Sequence, residues 1–557
     1  MKELIKTLLA DVLRKTTPDF RGDITVKISE NKRNGDYTTI VAFSLSKIFP
    51  PKVDQPRTEK KSPQVIAEYL VNKLKKQKIK DFSKIEALNG FINFFLSEKC
   101  FYHQLKEILK QKNKYGSSKD KKSQNIQVEF ISSNPTGPPT IGNGRGGFYG
   151  DVLANILETQ GHKITREFYV NDRGGQILAL GRSIKLAQGK KLNLSPFGRS
   201  PAGGEKTELN NLYKGDYINK LAKQIEKNLS VEEAGQEAAD LILNTYIKPI
   251  MKKFGINFDI WFSEKSLYKG NNYEKVMKDL MQKELVYEKD GATWMKTSEL
   301  GDTEDRVLIK SNGDETYFMS DILYHLNKFE IRKFDKVIDV WGADHHGDVS
   351  RLIGVLKILG IDLERLKIVL IQFVRLVSGG KKAKVSKRAG TFITFEELVY
   401  EVGLDAARFF FLMYSNDTHM DFDITLAKER SQKNPVYYVQ YAHARISSIL
   451  RKAKLKKNFQ FPISNFQLLK EKSELNLIRK LIEFPEILTD ISKNYEVHHL
   501  PRYSLELARE FHNFYEKERV MTDDKKSTFA RLALVMATKI VLANALNLMG
   551  INAPIRM

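Results

Sequence analysis

A chain of 557 residues is too long for a single hydrophobic core, so several domains are expected. Its apolar fraction of 41% excludes a wholly disordered chain, and its formal net charge of +23 favours polyanionic partners, although a generally basic proteome would give the same charge. The single cysteine, Cys100, excludes a disulfide framework and a multi-cysteine zinc site, and it predicts a protein of the reducing cytoplasm without zinc.

The first 110 residues predict a separate α+β domain. They open on MKELIKTLLADVLRKTT, an amphipathic helix in which Lys6, Asp11 and Arg14 interrupt the apolar run that a signal peptide needs. The segment FINFFLS near the end of the domain is typical of a strand. Residues 111–125, rich in Lys and Ser, predict a solvated linker. We find no stretch long and apolar enough to span a bilayer, so no membrane partner is expected.

Strands and helices alternate from residue 126 to residue 395, which predicts an α/β domain built on a parallel sheet. An insertion is expected around 180–300, because residues 187–206 are rich in Gly, Pro and Ser and have no period. Ligands of such sheets bind beyond the carboxyl ends of the strands. The predicted strands are IQVEFI, KITREFYV, KVIDVWG and LKIVLIQFV, and the predicted helices include GFYGDVLANILETQG and VSRLIGVLKILG.

Residues 396–557 predict an all-α C-terminal domain. Five segments in this range are long and follow a helical period, among them FEELVYEVGLDAARFFFLMYS and KSTFARLALVMATKIVLANALNLMG. The chain is therefore expected to be multidomain, with an α+β domain, a parallel-sheet α/β domain and a helical domain in that order.

A glycine-rich segment, NPTGPPTIGNGRGG at residues 134–147, follows the first strand of the α/β domain and precedes a helix. Backbone N–H groups at a helix N-terminus bind phosphate, so the segment indicates a nucleotide site. The spacing matches neither G-x-x-x-x-G-K-S/T nor G-x-G-x-x-G, and a tight strand-to-helix connection explains the glycines equally well.

A second segment, SGGKKAKVSKRAGTFITFEEL at residues 378–398, places Lys384, Lys387 and Arg388 around Ser386. A mobile basic loop of this kind can close over polyphosphate and stabilise the charge that develops as it is cleaved. The ordinary interpretation is a solvated run of charge. The combination of this loop with the glycine segment is much more specific than either one.

The pair resembles the two signatures of class I aminoacyl-tRNA synthetases, H-I-G-H and K-M-S-K-S, here Thr140-Ile141-Gly142-Asn143 and Lys384-Val385-Ser386-Lys387-Arg388. Over nearly its whole length the chain is similar to the arginyl-tRNA synthetases. The segments that carry the likeness are NGDYTTIVAFSLSKIF, SSNPTGP, REFYVNDRGGQI, DETYFMSDILYHLNKFE, KVIDVWGADHHGD, NPVYYVQYAHARI and LNLMGINAPIRM.

This resemblance implies a Rossmann-type catalytic domain, an N-terminal domain that contacts the tRNA elbow and a helical anticodon-binding domain. It implies that arginine and ATP, with Mg²⁺ accompanying the ATP, form arginyl-adenylate, which is transferred to the 3′ end of tRNA(Arg). In this family the first step generally needs tRNA. The enzyme is expected to act as a monomer.

The resemblance also assigns residues. The catalytic residues it implies are Thr140, Asn143, Lys384 and Lys387. The ATP-binding residues are Pro135, Gly137, Thr140, Gly142, Asn143, Lys384, Ser386, Lys387 and Arg388. The arginine-binding residues are Ser133, Asn134, Asn171, Tyr317, Asp321 and His345.

Physical chemistry supports part of this assignment. A guanidinium pairs best with a carboxylate, and Asp321 lies four residues after Tyr317, on the same face of a helix. Without the resemblance, Asp321 would be interpreted as an ordinary first-turn carboxylate. Asn134 and Asn171 would likewise be explained as turn residues.

Aromatic and basic residues interleave in the helical domain, where stacking on unpaired bases and contacts to phosphate are possible. A buried helical stripe explains most of the aromatic residues equally well. The residues expected to face tRNA are Tyr437, Tyr441, His443, Arg445 and Arg502.

Both histidines of the first signature are absent, since Thr140 and Asn143 stand in their places. This departure keeps open a synthetase-like tRNA-binding protein without adenylation activity. A class I synthetase for another amino acid, or a nucleotidyltransferase that shares the sheet, is the other alternative. ATP–pyrophosphate exchange that requires arginine would distinguish these possibilities.

Overall fold

The computed structural model describes the chain except for residues 19, 30, 49–61, 78, 119–122, 191–211, 379–380, 383–393 and 456–458. The N-terminal part is an antiparallel sheet of order β1-β2-β4-β3 covered by helices, as expected for an α+β domain. Its strands are Val26–Ile28 (β1), Tyr37–Thr39 (β2), Phe82–Leu88 (β3) and Phe91–Leu96 (β4), and its helices are Lys2–Thr16, Val41–Ile48, Pro63–Lys75 and Glu98–Gln111.

The central part contains the predicted parallel sheet. The strands pair in the order β12-β11-β5-β6-β7, and every pair is parallel. From β5 the chain moves outward to β6 on one side and later to β11 on the other. A crevice therefore opens at the carboxyl ends of β5 and β11. The strands are Asn125–Phe130 (β5), Lys163–Val170 (β6), Ile260–Ser263 (β7), Val286–Lys289 (β8), Ala292–Met295 (β9), Arg306–Ile309 (β10), Lys336–Gly342 (β11), Leu366–Ile371 (β12), Val374–Ser378 (β13), Lys381–Lys382 (β14) and Met420–Asp423 (β15).

Helices cover this sheet and carry the loops that face the crevice. The helix after β5, Ile141–Thr159, is called the glycine helix below, and Tyr317–Leu326 is called the Asp321 helix. The remaining helices of this part are Gly175–Ala187, Asp216–Gln224, Val231–Ile242, Lys248–Lys253, Asn272–Gln282 and His346–Ile358. Two π-helical stretches, Leu243–Ile247 and Asn327–Ile331, extend helices.

The expected insertion around 180–300 is not a single block. Strand β7 lies inside that range but pairs with β6 in the main sheet, because its apolar residues Ile260, Trp261 and Phe262 continue the sheet beyond Tyr169. The antiparallel sheet β8–β10 forms separately, after β7.

The segment LKIVLIQFV, predicted as one strand, is interrupted at Gln372 and Phe373. The Gln372 N–H donates to the Asn416 carbonyl and the Met420 N–H donates to the Phe373 carbonyl. These bonds turn the chain into β13, which pairs with β14 and with β15. Strand β15 lies in the range predicted to be entirely helical, so that range holds one described strand.

The rest of the C-terminal part is helical, as predicted. Its helices are Phe395–Val402, Leu404–Leu412, Ile424–Lys428, Pro435–Lys452, Lys472–Asn494, His499–Lys517 and Lys525–Leu548. By length and composition Lys525–Leu548 could cross a membrane, contrary to the expectation from sequence, and 67% of its apolar stretch is buried inside the molecule. The core helix of a helical bundle can be as apolar as a membrane-spanning helix, because its side chains are buried among neighbouring helices.

Candidate active site

A cleft of about 1430 Å³ lies above the carboxyl ends of the central strands. It is bordered by the segment after β5, the glycine helix, the end of β6, the Asp321 helix, the end of β11 and residues 372–374. Ten of the predicted site residues line it together: Ser133, Asn134, Gly137, Thr140, Gly142, Asn143, Asn171, Tyr317, Asp321 and His345. Pro135 is buried beside them. Lys384, Ser386, Lys387 and Arg388 lie outside the described residues.

The glycine helix packs closely on β5 at some positions and faces open space at others. A Cβ on Gly150 would lie 2.2 Å from the Phe130 ring, and one on Gly147 would lie 2.8 Å from Ile131. A Cβ on Gly146 would meet nothing within 4 Å. The glycines therefore serve close helix–strand packing and, at the cleft, an unobstructed backbone.

Thr140 and Asn143, the two signature replacements, are bonded to each other at the start of the glycine helix. The Thr140 N–H and hydroxyl donate to Asn143 Oδ1 at 2.8 and 2.9 Å. Asn143 thus caps the helix N-terminus through its oxygen. Its Nδ2 has no partner among the described residues and remains available as a donor at the cleft.

Arg145, two residues after Asn143, does not line the cleft. It is 2% exposed, and its guanidinium donates to the carbonyl oxygens of Gln372, Thr418 and Ser415 at 2.7–3.0 Å. Burial lowers the pKa of Arg145 to about 10, still well above neutral pH. This side chain therefore fixes the break between β12 and β13 against the glycine helix.

The strand β5 ends in an unusual backbone conformation. Ile131 and Ser132 have φ angles of 71° and 39°, in the left-handed region that a β-branched residue such as isoleucine rarely adopts. The Ser132 hydroxyl donates to Glu129 and accepts the Tyr169 N–H. These bonds hold the turn that brings Ser133 and Asn134 to the cleft.

Asp321 is the carboxylate best placed for a cationic ligand. Burial, together with the neighbouring carboxylates of Glu129, Asp348 and Glu264, raises its pKa well above the ordinary value. No described side chain pairs with its carboxylate. A cation entering the cleft would therefore gain an uncompensated buried partner, and it would return the pKa of Asp321 toward its usual range.

A glutamine links the residues that surround this carboxylate. Gln176 Oε1 accepts from Asn134 Nδ2 and, at 3.3 Å, from the Tyr213 hydroxyl. Gln176 also bonds the hydroxyl of Tyr317, which is 48% exposed at the start of the Asp321 helix. The amide of Asn134 is thus oriented by the same group that orients Tyr317.

Three buried polar atoms near Asp321 have no hydrogen-bond partner among the described residues: the Tyr169 hydroxyl, Asn171 Oδ1 and Glu264 Oε2. The other oxygen of Glu264 accepts from Ser320 at 2.6 Å. Burial raises the pKa of Glu264 to about 7. Tyr169 and Asn171 line the cleft, so their unpaired atoms are available to a ligand that forms hydrogen bonds there.

His345 stands at the rim of the cleft, after β11. Its Nδ1 lies 2.9 Å from Asp348 Oδ2, and its ring lies 5.9 Å from the ring of Trp341. Asp348 is also bonded to Arg351. Groups of three or more His, Cys, Asp or Glu side chains arranged to hold a metal ion are absent from the described part of the chain.

In the helical part, four of the five residues expected to face tRNA are accessible. The rings of Tyr437 and Tyr441 stack with centroids 6.4 Å apart, and the Arg445 guanidinium lies 5.1 Å from the Tyr441 ring. Arg502 is exposed. His443 differs from the expectation, because it is 2% exposed and its Nδ1 bonds the Pro554 carbonyl.

Sequence reasoning missed several residues of the cleft, including Glu129, Tyr169, Tyr213, Tyr324, Arg351 and Phe373. One signal was present: Gln127 and Glu129 alternate with apolar residues in a strand that is buried on both faces. Polar residues with period two in a central strand indicate a buried polar layer.

Known proteins match the chain in three consecutive parts. Residues 104–424 match the family model for the catalytic domain of class I tRNA synthetases (R), residues 3–96 the model for the arginyl tRNA synthetase N-terminal domain, and residues 439–557 the DALR anticodon binding domain. The parallel sheet, with its cleft at the switch point and the signature at a helix N-terminus, is that of a class I aminoacyl-tRNA synthetase.

The relatives give the particular family. An arginine–tRNA ligase of Caldanaerobacter subterraneus subsp. tengcongensis is 41% identical over 551 residues, covering 96% of this chain and 94% of the relative. One of Aquifex aeolicus is 39% identical, with both chains fully covered. The chain belongs to the arginyl-tRNA synthetase family. The Thermus thermophilus arginyl-tRNA synthetase structure, at 21% identity and full coverage of both chains, shares the fold with a TM-score of 0.73.

Proposed function

We propose that the cleft joins arginine to tRNA(Arg) in two steps, with Asp321 as the residue that selects arginine. A carboxylate oxygen of arginine attacks the α-phosphorus of ATP, and pyrophosphate leaves as its bond to that phosphorus breaks. A hydroxyl at the 3′ end of tRNA then attacks the carbonyl carbon of the adenylate, and AMP leaves. The observation that carries the assignment is the half-buried carboxylate of Asp321, which has no described side-chain partner and lies in the same cleft as the signature helix.

At the arginine end, Asp321 accepts two N–H groups of the guanidinium as a planar pair. Tyr317 packs beside it, and Asn171 Oδ1 accepts a further donor. Ser133, Asn134 and His345 hold the α-amino and carboxylate groups toward the glycine helix. The carboxylate of Asp321, without a described side-chain partner, supports a cationic side chain over a neutral one.

At the ATP end, the N-terminus of the glycine helix receives the phosphates, with Asn143 Nδ2 as a donor. Pro135, Gly137, Thr140 and Gly142 shape the backbone there. Lys384, Lys387 and Arg388, outside the described residues, would neutralise the leaving pyrophosphate, and the Ser386 hydroxyl would donate a hydrogen bond to it. Mg²⁺ would arrive with ATP, bound mainly by phosphate oxygens, as this ion prefers.

The tRNA contacts the other two domains. Tyr437 and Tyr441 present stacked rings, and Arg445 and Arg502 supply charge for anticodon bases and phosphates. The N-terminal domain, residues 1–110, meets the tRNA elbow. One chain carries both substrate sites and both tRNA-binding domains, and its lone Cys100 is a buried free thiol, which supports a monomer in a reducing cytoplasm.

ATP–pyrophosphate exchange, measured with and without tRNA(Arg), tests this function. We expect exchange that depends on arginine and is lost in a synthetase-like binding protein without adenylation activity. Replacing Asp321→Asn keeps the shape but removes the charge, and losing one partner of such a buried pair costs about 2–5 kcal/mol.

The control for that replacement is Asp314→Asn, which changes an exposed aspartate in a turn. It should exchange like the unaltered enzyme. Wild-type efficiency for arginine in Asp321→Asn would remove Asp321 as the selecting residue, and absence of exchange in the unaltered protein would favour the binding protein.

A further inference from the structure

Four charged side chains form a buried network directly beneath Asp321. Lys328 Nζ donates to Glu129 Oε2 at 2.6 Å and to Asp339 Oδ1 at 2.8 Å. His325 Nε2 lies 2.8 Å from the other oxygen of Asp339. The four residues are between 0% and 4% exposed. They join β5, β11 and the last turn of the Asp321 helix.

The network carries paired charge. Burial opposes ionisation of Asp339, but Lys328 and His325 outweigh it and hold the pKa of that carboxyl well below its usual range. Burial likewise opposes the charge of Lys328, yet Asp339 and Glu129 raise its pKa. Lys328 is therefore a resident cation between two carboxylates.

His325 connects this network to Asp321 itself. Its Nδ1 lies 2.7 Å from the backbone carbonyl oxygen of Asp321, four residues earlier in the same helix. A carbonyl oxygen and an ionised carboxylate only accept hydrogen bonds. Both ring nitrogens must therefore carry a proton for the two bonds to exist together.

Lys328 and His325 thus supply the donors of this network, and Glu129 and Asp339 supply the acceptors. Burial raises the pKa of Glu129, although the neighbouring Lys328 acts against that rise. Among the described side chains, none pairs with the Asp321 carboxylate in the same way.

We propose that His325 is a positioning residue for arginine, acting by tying the Asp321 carbonyl to β11 through Asp339. The inference rests on the proposed function, because it takes Asp321 as the guanidinium partner. Since the Asp321 carboxylate has no described side-chain partner of its own, its place relative to the sheet follows from its helix backbone, and His325 links the Asp321 carbonyl of that backbone to β11. Bidentate pairing tolerates little error, and misplacement by about 1 Å can cost about 10²-fold.

Two substitutions separate the two bonds. His325→Asn retains an N–H near the Nδ1 position, toward Asp321, but cannot reach Asp339. His325→Gln retains an N–H near the Nε2 position, toward Asp339, but loses the bond to Asp321. Because either change breaks the bridge, both should raise the KM for arginine by about tenfold while the KM for ATP stays within about twofold. A merely structural role would instead lower the folded fraction without separating the two KM values.

The matched control is His162→Gln. His162 lies before β6, at the opposite end of the sheet, where its Nδ1 accepts the Gln124 N–H at 3.3 Å. The KM of the His162→Gln variant for arginine should equal that of the unaltered enzyme. An unchanged arginine KM in folded His325→Asn and His325→Gln would overturn the proposal.

Two further observations keep the outcomes distinct. Neutron diffraction of the unaltered protein should find hydrogen on both nitrogens of His325, and a bare nitrogen would overturn the bridge even if the variants do not fold. Asp321→Asn, measured in parallel, tests the underlying function. If Asp321→Asn leaves the KM for arginine unchanged, the assignment of Asp321 fails. If Asp321→Asn raises this KM but the two His325 variants do not, only the bridge through His325 is refuted.

Discussion

Asn143 uses the two ends of its amide for different purposes. Its oxygen accepts the Thr140 N–H and hydroxyl and so caps the glycine helix. Its nitrogen is free of partners among the described residues and faces the cleft. A histidine in this position would supply one donor, and the amide supplies the same donor without needing to be protonated. Helix stability and phosphate contact can therefore be tested separately.

Asn143→Asp separates helix stability from phosphate contact, because aspartate keeps an acceptor for the helix cap and removes the N–H donor. We expect adenylate formation to slow by roughly 10²–10³, as for other lost transition-state donors, while the melting temperature stays near that of the unaltered protein. Asn143→Ala should lose the rate and, in addition, about 1 kcal/mol of stability. Exchange rate and melting temperature are measured on the same preparations. An unimpaired rate in Asn143→Asp would reduce Asn143 to a cap.

Single residues show where sequence reasoning stops. The convergence of Asp321, Tyr317 and Asn143 was predicted by the resemblance, and all three line one cleft. The bond between Lys328 and Glu129 joins positions 199 residues apart, and no local pattern specifies such a partner. His443 lies among aromatic and basic residues, but helical phase buries it, and composition alone does not give that phase.

The glycine helix combines two spacing requirements in one element. Near its middle it must approach β5, and at its start it must leave the cleft open. Gly150 meets the first requirement, since a Cβ there would overlap Phe130. Gly146 lies on the cleft side, where a Cβ would have free space. The two positions are four residues apart, so successive turns of one helix border the cleft and pack against the core.

Alanine should have opposite effects on stability at the two positions: it should destabilise the protein at Gly150 and stabilise it at Gly146. Gly150→Ala forces a methyl group into a packed ring and should cost about 1–3 kcal/mol or more in the free energy of unfolding. Gly146→Ala should add about 0.5–1 kcal/mol, because alanine favours a helix over glycine, but its methyl group enters the cleft and should raise the KM for ATP. Denaturant unfolding and exchange kinetics check the pair. Equal stability losses at both positions would contradict this division of roles.

Elements with a strong period and the parallel pairing of the central sheet were predicted well, but interruptions and short pairings were not. β6 and β11 have the bounds of the segments KITREFYV and KVIDVWG. The interruption at Gln372 and the pairing of β13 with β15 depend on contacts with residues about 45 positions later. β15 is four residues long between helices, so its pattern is too short to distinguish a strand from a loop.

At the scale of the whole molecule, the glycine helix is fastened to the helical part. Asp151 pairs with Arg408, which also donates to the carbonyl oxygen of Met549 near the C-terminus. Asn155 bonds the Leu548 carbonyl, and the Tyr149 hydroxyl bonds the Tyr495 carbonyl. The start of the glycine helix borders the cleft, so the cleft and the part that matches the DALR anticodon binding domain share this element. Under the proposed function, tRNA contacts surfaces on both sides of it.

The net charge of +23 predicts how such extended contact responds to salt. Each phosphate that the protein neutralises releases bound counterions, so the logarithm of tRNA affinity should fall linearly with the logarithm of salt concentration. With about six or more phosphates contacted, affinity should fall by about 10³-fold between 50 and 200 mM salt. The KM for arginine, at saturating tRNA, should change little, because Asp321 is half-buried in the cleft and salt screens it weakly. Fluorescence titration of labelled tRNA(Arg) over that range measures the slope. A flat slope would mean that tRNA is held by stacking and hydrogen bonds, and that the excess charge does not serve its backbone.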